Sequence, residues 1–161
     1  MSESNDLLKG RVEELLKISL EIGIAPFVEP VKVASAEAGK VNFKFKVTQK
    51  LLNIQGFMHG GVLSLLVDTL TGITAFTLLS YSGVTLNLNA NFVRAIKHEE
   101  TIYATAVAVR AGKKIIFAEV HFRDADGNLR AYGGQTIYVV KEREKWSPVN
   151  STTQLNKQSN L

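Results

Sequence analysis

Residues 62–81, VLSLLVDTLTGITAFTLLSY, form the longest apolar segment of the chain and carry one charged residue, Asp68. A segment of this length can span a bilayer, or it can form a helix that is buried on every side. The carboxylate, several Thr and Ser residues, and the lack of a flanking basic cluster argue against a membrane span. The segment therefore predicts a long core helix, ended by Gly83, that the rest of the chain must cover.

Alternation of apolar and polar residues predicts strands on both sides of this helix. The predicted strands are residues 31–36, 41–48, 84–93, 101–110, 114–123 and 129–140. In residues 84–93 the alternation puts Val84, Leu86, Leu88, Ala90 and Phe92 on one face. Helical spacing of leucines at residues 6–22 predicts an additional N-terminal helix. This order indicates an α+β fold, with a mostly antiparallel sheet wrapped around the long helix.

Length, charge and cysteine content narrow the class of protein. The length of 161 residues favours one domain, residues 1–146, followed by a polar tail, 147–161, that we expect to be disordered. The absence of cysteine excludes disulfides, thiolate metal sites and a cysteine nucleophile. A net charge of +4 is compatible with a polyanionic ligand, but the basic residues are scattered and match no nucleic-acid module. The acidic N-terminus is unlike a signal peptide, so we expect a cytoplasmic protein that binds neither nucleic acid nor membrane.

Asp68 is the unusual residue of the predicted core helix. Its neighbours at helical spacing include Gly61, Ser64, Gly72 and Ala75, so it lies on a stripe of mostly small residues. A carboxylate in such surroundings is costly unless it is paired or used. The sequence leaves two interpretations open: a general base that faces a ligand or a second chain, or a structural aspartate bonded to nearby backbone.

The segment before the helix, residues 53–61 (NIQGFMHGG), is rich in hydrogen-bond donors. The first turn of a helix presents free N–H groups and a positive dipole end, which suit an oxyanion. Asn53 can add a second donor, and His59 can orient a substrate. Nine residues at about 1.5 Å each put His59 and Asp68 on the order of 13 Å apart. If both act on one carbonyl, the site must combine two copies of the chain.

This combination resembles the PaaI-type acyl-CoA thioesterases of the hotdog superfamily. The motif of that family reads here as Asn53, Gly56, His59-Gly60-Gly61 and Asp68, with matching spacing. The likeness continues through residues 83–95 and 110–140. The resemblance implies a hotdog fold, in which two subunits join their sheets into a homodimer and dimers often pair into a homotetramer.

The resemblance also implies roles for individual residues. Asn53 and the backbone N–H of Gly60 would polarise the thioester carbonyl, and His59 would line the site. Asp68 of the partner subunit would activate water or attack directly. Thr85 occupies the position where relatives place a hydroxyl that helps hold this water. By the same resemblance the substrate would be an acyl-CoA, and neither a cofactor nor a metal is expected.

Candidate contacts to the substrate are Gly61, Arg94, Lys97, Lys113 and Lys114. The four basic residues are candidates for binding the CoA phosphates, although each is equally compatible with ordinary solvated surface. Many relatives have Arg-Pro where this chain has Arg94-Ala95, which puts the nucleotide contacts in doubt more than the chemistry. Three alternatives stay open: a hotdog hydratase or dehydratase, a non-catalytic acyl-CoA binding protein, and a purely structural oligomer.

Overall fold

The computed structural model describes residues 4–21, 31–78 and 81–142, which form two α-helices, a short 3-10 helix (Gln49–Leu51) and one six-stranded sheet. In chain order the elements are α1 (Asn5–Glu21), β1 (Lys32–Glu37), β2 (Lys40–Lys46), α2 (Gly60–Phe76), β3 (Tyr81–Phe92), β4 (Thr101–Ala111), β5 (Ile115–Arg123) and β6 (Leu129–Glu142). The strands pair antiparallel in the order β1-β2-β4-β5-β6-β3. The predicted α+β architecture, with an additional N-terminal helix, is confirmed. The predicted tail, residues 147–161, lies outside the described residues.

The core lies between α2 and one face of the sheet. In β2 and just beyond it, Val41, Phe43, Phe45 and Val47 are at most 2% exposed, which is the predicted alternation. They belong to the same buried cluster as the helix residues Leu66, Val67 and Leu70. α1 lies beside β1 and adds Leu8, Val12 and Leu16 to this cluster. The apolar faces of these elements therefore contribute to one buried core around α2, as their periodicity predicts.

The central helix ends earlier than its apolar sequence predicts. We expected residues 62–81, whereas α2 spans Gly60–Phe76 and β3 already begins at Tyr81. Thr77 follows the helix, and its hydroxyl donates to the carbonyl of Thr74 at 2.7 Å while accepting from the N–H of Gly39 at 2.7 Å. The contact with the β1–β2 turn secures the helix end, and this non-local contact leaves no trace in the local hydrophobic pattern.

A register shift in β3 reverses part of the predicted alternation. Thr85 is opposite Ile137 and Asn87 is opposite Thr136, so Leu86 is an extra residue on β3. Opposed residues share a face, and Ile137 is buried against the helix side of the sheet. Thr85 therefore lies on the inner face with Leu88, Ala90 and Phe92, and the prediction that Val84 shares that face is wrong. A bulge of this kind redirects one side chain without ending the strand.

β3 also forms an edge of the sheet. All of its 12 residues except Leu86 pair with β6 on one side. Several of its apolar side chains are exposed, namely Val84 at 55%, Leu86 at 60%, Leu88 at 38% and Phe92 at 59%. A long edge strand with an apolar surface is a template for pairing with another strand.

Gly133 in β6 lets the helix and β3 approach closely. A Cβ at this position would overlap the carbonyl oxygen of Asn89 and lie 2.9 Å from a methyl group of Val67. We expect Gly133→Ala to lower the free energy of unfolding by about 2–3 kcal/mol, because backbone and helix must both move. Chemical denaturation of the two proteins measures this difference.

Gly10 in α1 provides the matched control, because a Cβ there meets no atom within 4 Å. Gly10→Ala is expected to raise the free energy of unfolding by about 0.5–1 kcal/mol, since alanine favours helix. The same substitution thus has opposite signs at the two sites. A Gly133→Ala protein as stable as wild type would show that this packing is not tight.

Candidate active site

The N-terminus of α2 is capped by His59. Its Nδ1 accepts a hydrogen bond from the N–H of Gly61 at 2.9 Å, so the neutral ring carries its proton on Nε2. The side chain of His59 is exposed, which leaves Nε2–H available to a ligand. The Gly60 N–H makes no hydrogen bond within the described parts of the chain. The cap therefore occupies Gly61 and leaves Gly60 as a free donor at the positive end of the helix.

Asn53 organises the turn that precedes the helix. Its Oδ1 accepts from the N–H groups of Gln55 at 2.9 Å and Phe57 at 3.2 Å. Gly56 supplies the positive φ of 80° that the turn requires. With Oδ1 occupied by the turn, the two N–H groups of the Asn53 amide point away from it. No hydrogen bond among residues 31–78 and 81–142 uses them, so Asn53 keeps a donor for a ligand.

Backbone pairing secures this turn against the segment after β3. Leu52 pairs with Met58, and the N–H of Met58 donates to the carbonyl of Ile96 at 2.8 Å. Phe57 pairs with Lys97, which brings this predicted CoA contact next to the turn. The donors at the start of α2 and the segment that contains Arg94 and Lys97 are therefore neighbours.

Asp68 lies two and a half turns further along the same helix and is half-buried. Its Oδ1 is 3.1 Å from the hydroxyl of Thr85, which the bulge of β3 points inward. The neighbours Ser64, Leu65 and Gly72 are also only partly buried. The prediction that α2 is buried on every side is therefore wrong for this chain by itself. The exposed stripe gives a carboxylate and a hydroxyl access to a ligand, as a general base and its water would need.

Gln135 in β6 is a site residue that the sequence analysis missed. It is 4% exposed, and its Nε2 donates to the carbonyl of Asp68 at 2.8 Å and to the hydroxyl of Thr71 at 2.6 Å. Its Oε1 lies 2.9 Å from the hydroxyl of Thr85. The available signal was a polar residue at an inward position of a strand, two residues before Ile137. A buried amide of this kind is costly unless all its partners are present.

Within one chain, the candidate site residues thus form two separate groups. The donors at Asn53, His59 and Gly60 lie at the start of α2, and Asp68 with Thr85 lies in its middle. Because the eight residues from Gly60 to Asp68 are regular helix at about 1.5 Å each, the two groups are roughly 12 Å apart. They cannot both contact the same carbonyl group within one chain.

The basic candidates fall into two groups at opposite ends of the sheet. Arg94 and Lys97 follow β3, next to the start of β4, whereas Lys113 and Lys114 lie in the turn between β4 and β5. Eleven residues of β4 separate the two ends by roughly 35 Å. A single chain therefore does not bring all four around one CoA molecule.

Arg130 holds the segment that contains Arg94 in place. Its guanidinium donates to the carbonyl of Ala95 at 2.7 Å, to Glu100 at 3.2 Å and to Asp124 at 3.0 Å. Desolvation raises the pKa of the Asp124 carboxyl, but hydrogen bonds from Asn128 and Arg130 together lower it by more. The pKa of Asp124 therefore lies below its ordinary value. The Arg130 side chain thus positions the carbonyl of Ala95, the residue at which many relatives have a proline.

Two other kinds of site find no support in the described residues. Among residues 4–21, 31–78 and 81–142, no three His, Asp or Glu side chains are grouped to hold a metal. In the same residues, neither helix has the length and apolar character to cross a membrane.

Comparison with known proteins identifies the family of this chain. Residues 55–131 match the family described as Thioesterase superfamily. The chain is 32% identical over 111 residues to human acyl-coenzyme A thioesterase 13, which covers 68% of this chain and 79% of that protein. The human protein is thus similar over most of its own length.

Solved structures extend the likeness to the fold. The crystal structure of zebrafish thioesterase superfamily member 2 superposes with a TM-score of 0.76, 27% identity, and coverage of 87% of this chain and 100% of that one. A Streptococcus pneumoniae thioesterase with bound coenzyme A gives a TM-score of 0.68 at 26% identity, with coverage of 72% of this chain and 93% of that one. Two further structures are of mutants of the pneumococcal protein: one has alanine in place of an aspartate, and the other has alanine in place of a threonine. The chain therefore belongs to the thioesterase superfamily and is a thioester hydrolase of the hotdog fold.

Proposed function

We propose that the protein hydrolyses an acyl-CoA thioester to the free acid and CoA, in a site shared by two copies of the chain. The observation that carries this proposal is the separation of the two half-sites along α2. Asn53 and the Gly60 N–H of one copy bind the carbonyl oxygen, and Asp68 with Thr85 of the second copy supplies the water.

The geometry of β3 supports a shared site. Thr85 lies near the start of this edge strand, whereas Phe92 ends it and lies beside Gly60, with its ring 3.4 Å from where a Cβ of Gly60 would be. If β3 pairs antiparallel with its copy about a twofold axis, the start of one strand lies beside the end of the other. This pairing brings Asp68 and Thr85 of one copy towards Gly60 and Asn53 of the other, and it also covers the exposed edge.

The chemistry then follows from the roles of the groups. Asp68 takes a proton from water, and the water oxygen attacks the carbonyl carbon. The oxyanion that develops is stabilised by the Gly60 N–H, the positive end of α2 and the Asn53 amide. As the intermediate collapses, the C–S bond breaks, and the proton on Asp68 is returned to the CoA thiolate. The Nε2–H of His59 is a further donor near this sulfur.

The CoA phosphates are proposed to bind Arg94 and Lys97, which lie beside the Asn53 turn. In the paired arrangement, Lys113 and Lys114 of the second copy come to the same end of the joined sheet. The pneumococcal relative binds coenzyme A, which is consistent with this class of ligand.

The first test is release of CoA thiol from a panel of short, medium, long and aryl acyl-CoAs. A thiol-reactive dye gives no protein background, because the chain has no cysteine. We expect a kcat/KM of at least about 10⁴ M⁻¹ s⁻¹ for the best substrate, and that substrate identifies the acyl class.

Other results would point to other functions. Acyl-CoA binding without turnover would identify a binding protein, and hydration of an enoyl-CoA would identify a hydratase. Either result would overturn the proposed hydrolysis.

A further inference from the structure

Gln135 links the carboxylate of Asp68 to the core of the protein. It is 4% exposed and has a partner for each of its polar atoms: the Asp68 carbonyl, the Thr71 hydroxyl and the Thr85 hydroxyl. Gln135 thus contacts both the backbone carbonyl of Asp68 and the Thr85 hydroxyl, which lies 3.1 Å from the Asp68 carboxylate.

The orientation of the Gln135 amide follows from its partners. The Thr71 hydroxyl donates its proton to the carbonyl of Val67 at 2.6 Å, so its oxygen accepts from Gln135. The Asp68 carbonyl can only accept. The NH2 group must therefore face these two oxygens, and Oε1 must face Thr85. Gln135 is thus an acceptor towards the Thr85 hydroxyl.

The hydroxyl of Thr85 therefore has one proton and two acceptors. Asp68 Oδ1 lies at 3.1 Å and Gln135 Oε1 at 2.9 Å. While Asp68 is ionised, the proton of Thr85 can point at the carboxylate. Once Asp68 carries a proton, its own O–H can donate to the Thr85 oxygen. The Thr85 proton must then point away from Asp68, towards another acceptor. Gln135 is the acceptor in position for that turn.

Resting on the proposed function, we propose that Gln135 is a positioning residue that accepts the Thr85 proton whenever Asp68 is protonated. When an O–H bond of water breaks, its proton moves to Asp68 and its oxygen bonds to the carbonyl carbon. The Thr85 hydroxyl then rotates about its Cβ–Oγ bond towards Gln135, and none of its own bonds breaks. When the C–S bond breaks, Asp68 returns the proton to the thiolate and the rotation reverses.

The test is a double-mutant cycle with Gln135→Met and Thr85→Val, measured as kcat and KM for CoA release. Gln135→Met is expected to lower kcat about 10-fold, with KM unchanged, because it acts on the protonated intermediate. In the Thr85→Val background, which has no hydroxyl proton to accept, Gln135→Met is expected to change kcat less than about twofold. In Thr85→Ser, which keeps the hydroxyl, the loss of about 10-fold is expected to return.

A merely structural Gln135 predicts a different outcome. Its loss would then reduce activity by the same factor in the wild-type and Thr85→Val backgrounds, and that result would overturn the proposal. Because wild type is assayed in the same series, absence of any CoA release would instead refute the proposed function.

Thr71→Val provides a second route that leaves Gln135 in place, should Gln135→Met fold poorly. It removes the acceptor that orients the Gln135 amide, and we expect a loss in kcat of about threefold. Thr74→Val is the matched control, because Thr74 is also 0% exposed and donates to a helix carbonyl, that of Leu70, at 2.8 Å. Equal kcat values for the two variants would contradict the proposal.

Discussion

Replacement of Asp68 by asparagine is expected to lower kcat by about 10³-fold, with little change in thermal stability. Asparagine has the same shape and keeps an oxygen for the Thr85 hydroxyl, which lies 3.1 Å from the carboxylate. It cannot accept a proton from water, and the loss of a general base typically costs 10²–10⁴-fold, so we take about 10³ as the expected value. The measurement is CoA release at saturating acyl-CoA, together with a melting curve.

Asp126→Asn is the matched control for this prediction. Asp126 lies in the exposed turn between β5 and β6, outside both groups of proposed site residues, and Asp126→Asn removes one charge in the same way. Its kcat should equal that of wild type. If Asp68→Asn also kept a rate within about threefold of wild type, Asp68 would be the structural aspartate of the alternative interpretation.

Gly60→Pro is expected to lower kcat by about 10²–10³-fold while the fold is retained, because it removes the proposed oxyanion donor and little else. Gly60 is the first residue of α2, where proline is well tolerated. His59 has φ −67° and ψ 129°, a conformation that suits a residue before proline. Gly60→Ala keeps the N–H and adds only a Cβ 3.4 Å from Phe92, so it should remain close to wild type.

Mixed oligomers of the two inactive variants test the shared site. When Asp68→Asn and Gly60→Pro chains are co-expressed with different tags, about a quarter of the wild-type kcat should return. Random pairing makes half of the dimers mixed, and each mixed dimer has one intact site of two. Co-expression of Asp68→Asn with Asp68→Ala should restore nothing. Purified mixed oligomers that stay inactive would place both halves of the site in one chain.

The sequence alone determined the parts of this protein that depend on local pattern. The order of elements, the inward face of β2 and the position of Asp68 on an apolar helix all follow from periodicities of 2 and 3.6 residues. The donor-rich start of α2 and its distance from Asp68 follow from helix geometry. These features depend on residues close together in the chain, so the sequence carries them directly.

Tertiary structure decided the features that depend on distant residues. α2 ends at Phe76 rather than residue 81 because Thr77 bonds to Gly39, 38 residues away. Thr85 points inward because pairing with β6 inserts a bulge at Leu86, where simple alternation would point Thr85 outward. Gln135 reaches Asp68 across 67 residues of sequence, and local pattern contains no information about such a contact. The strands and the helix can therefore be predicted from local sequence, whereas the contacts of Asp68 with Thr85 and Gln135 form only when these elements pack.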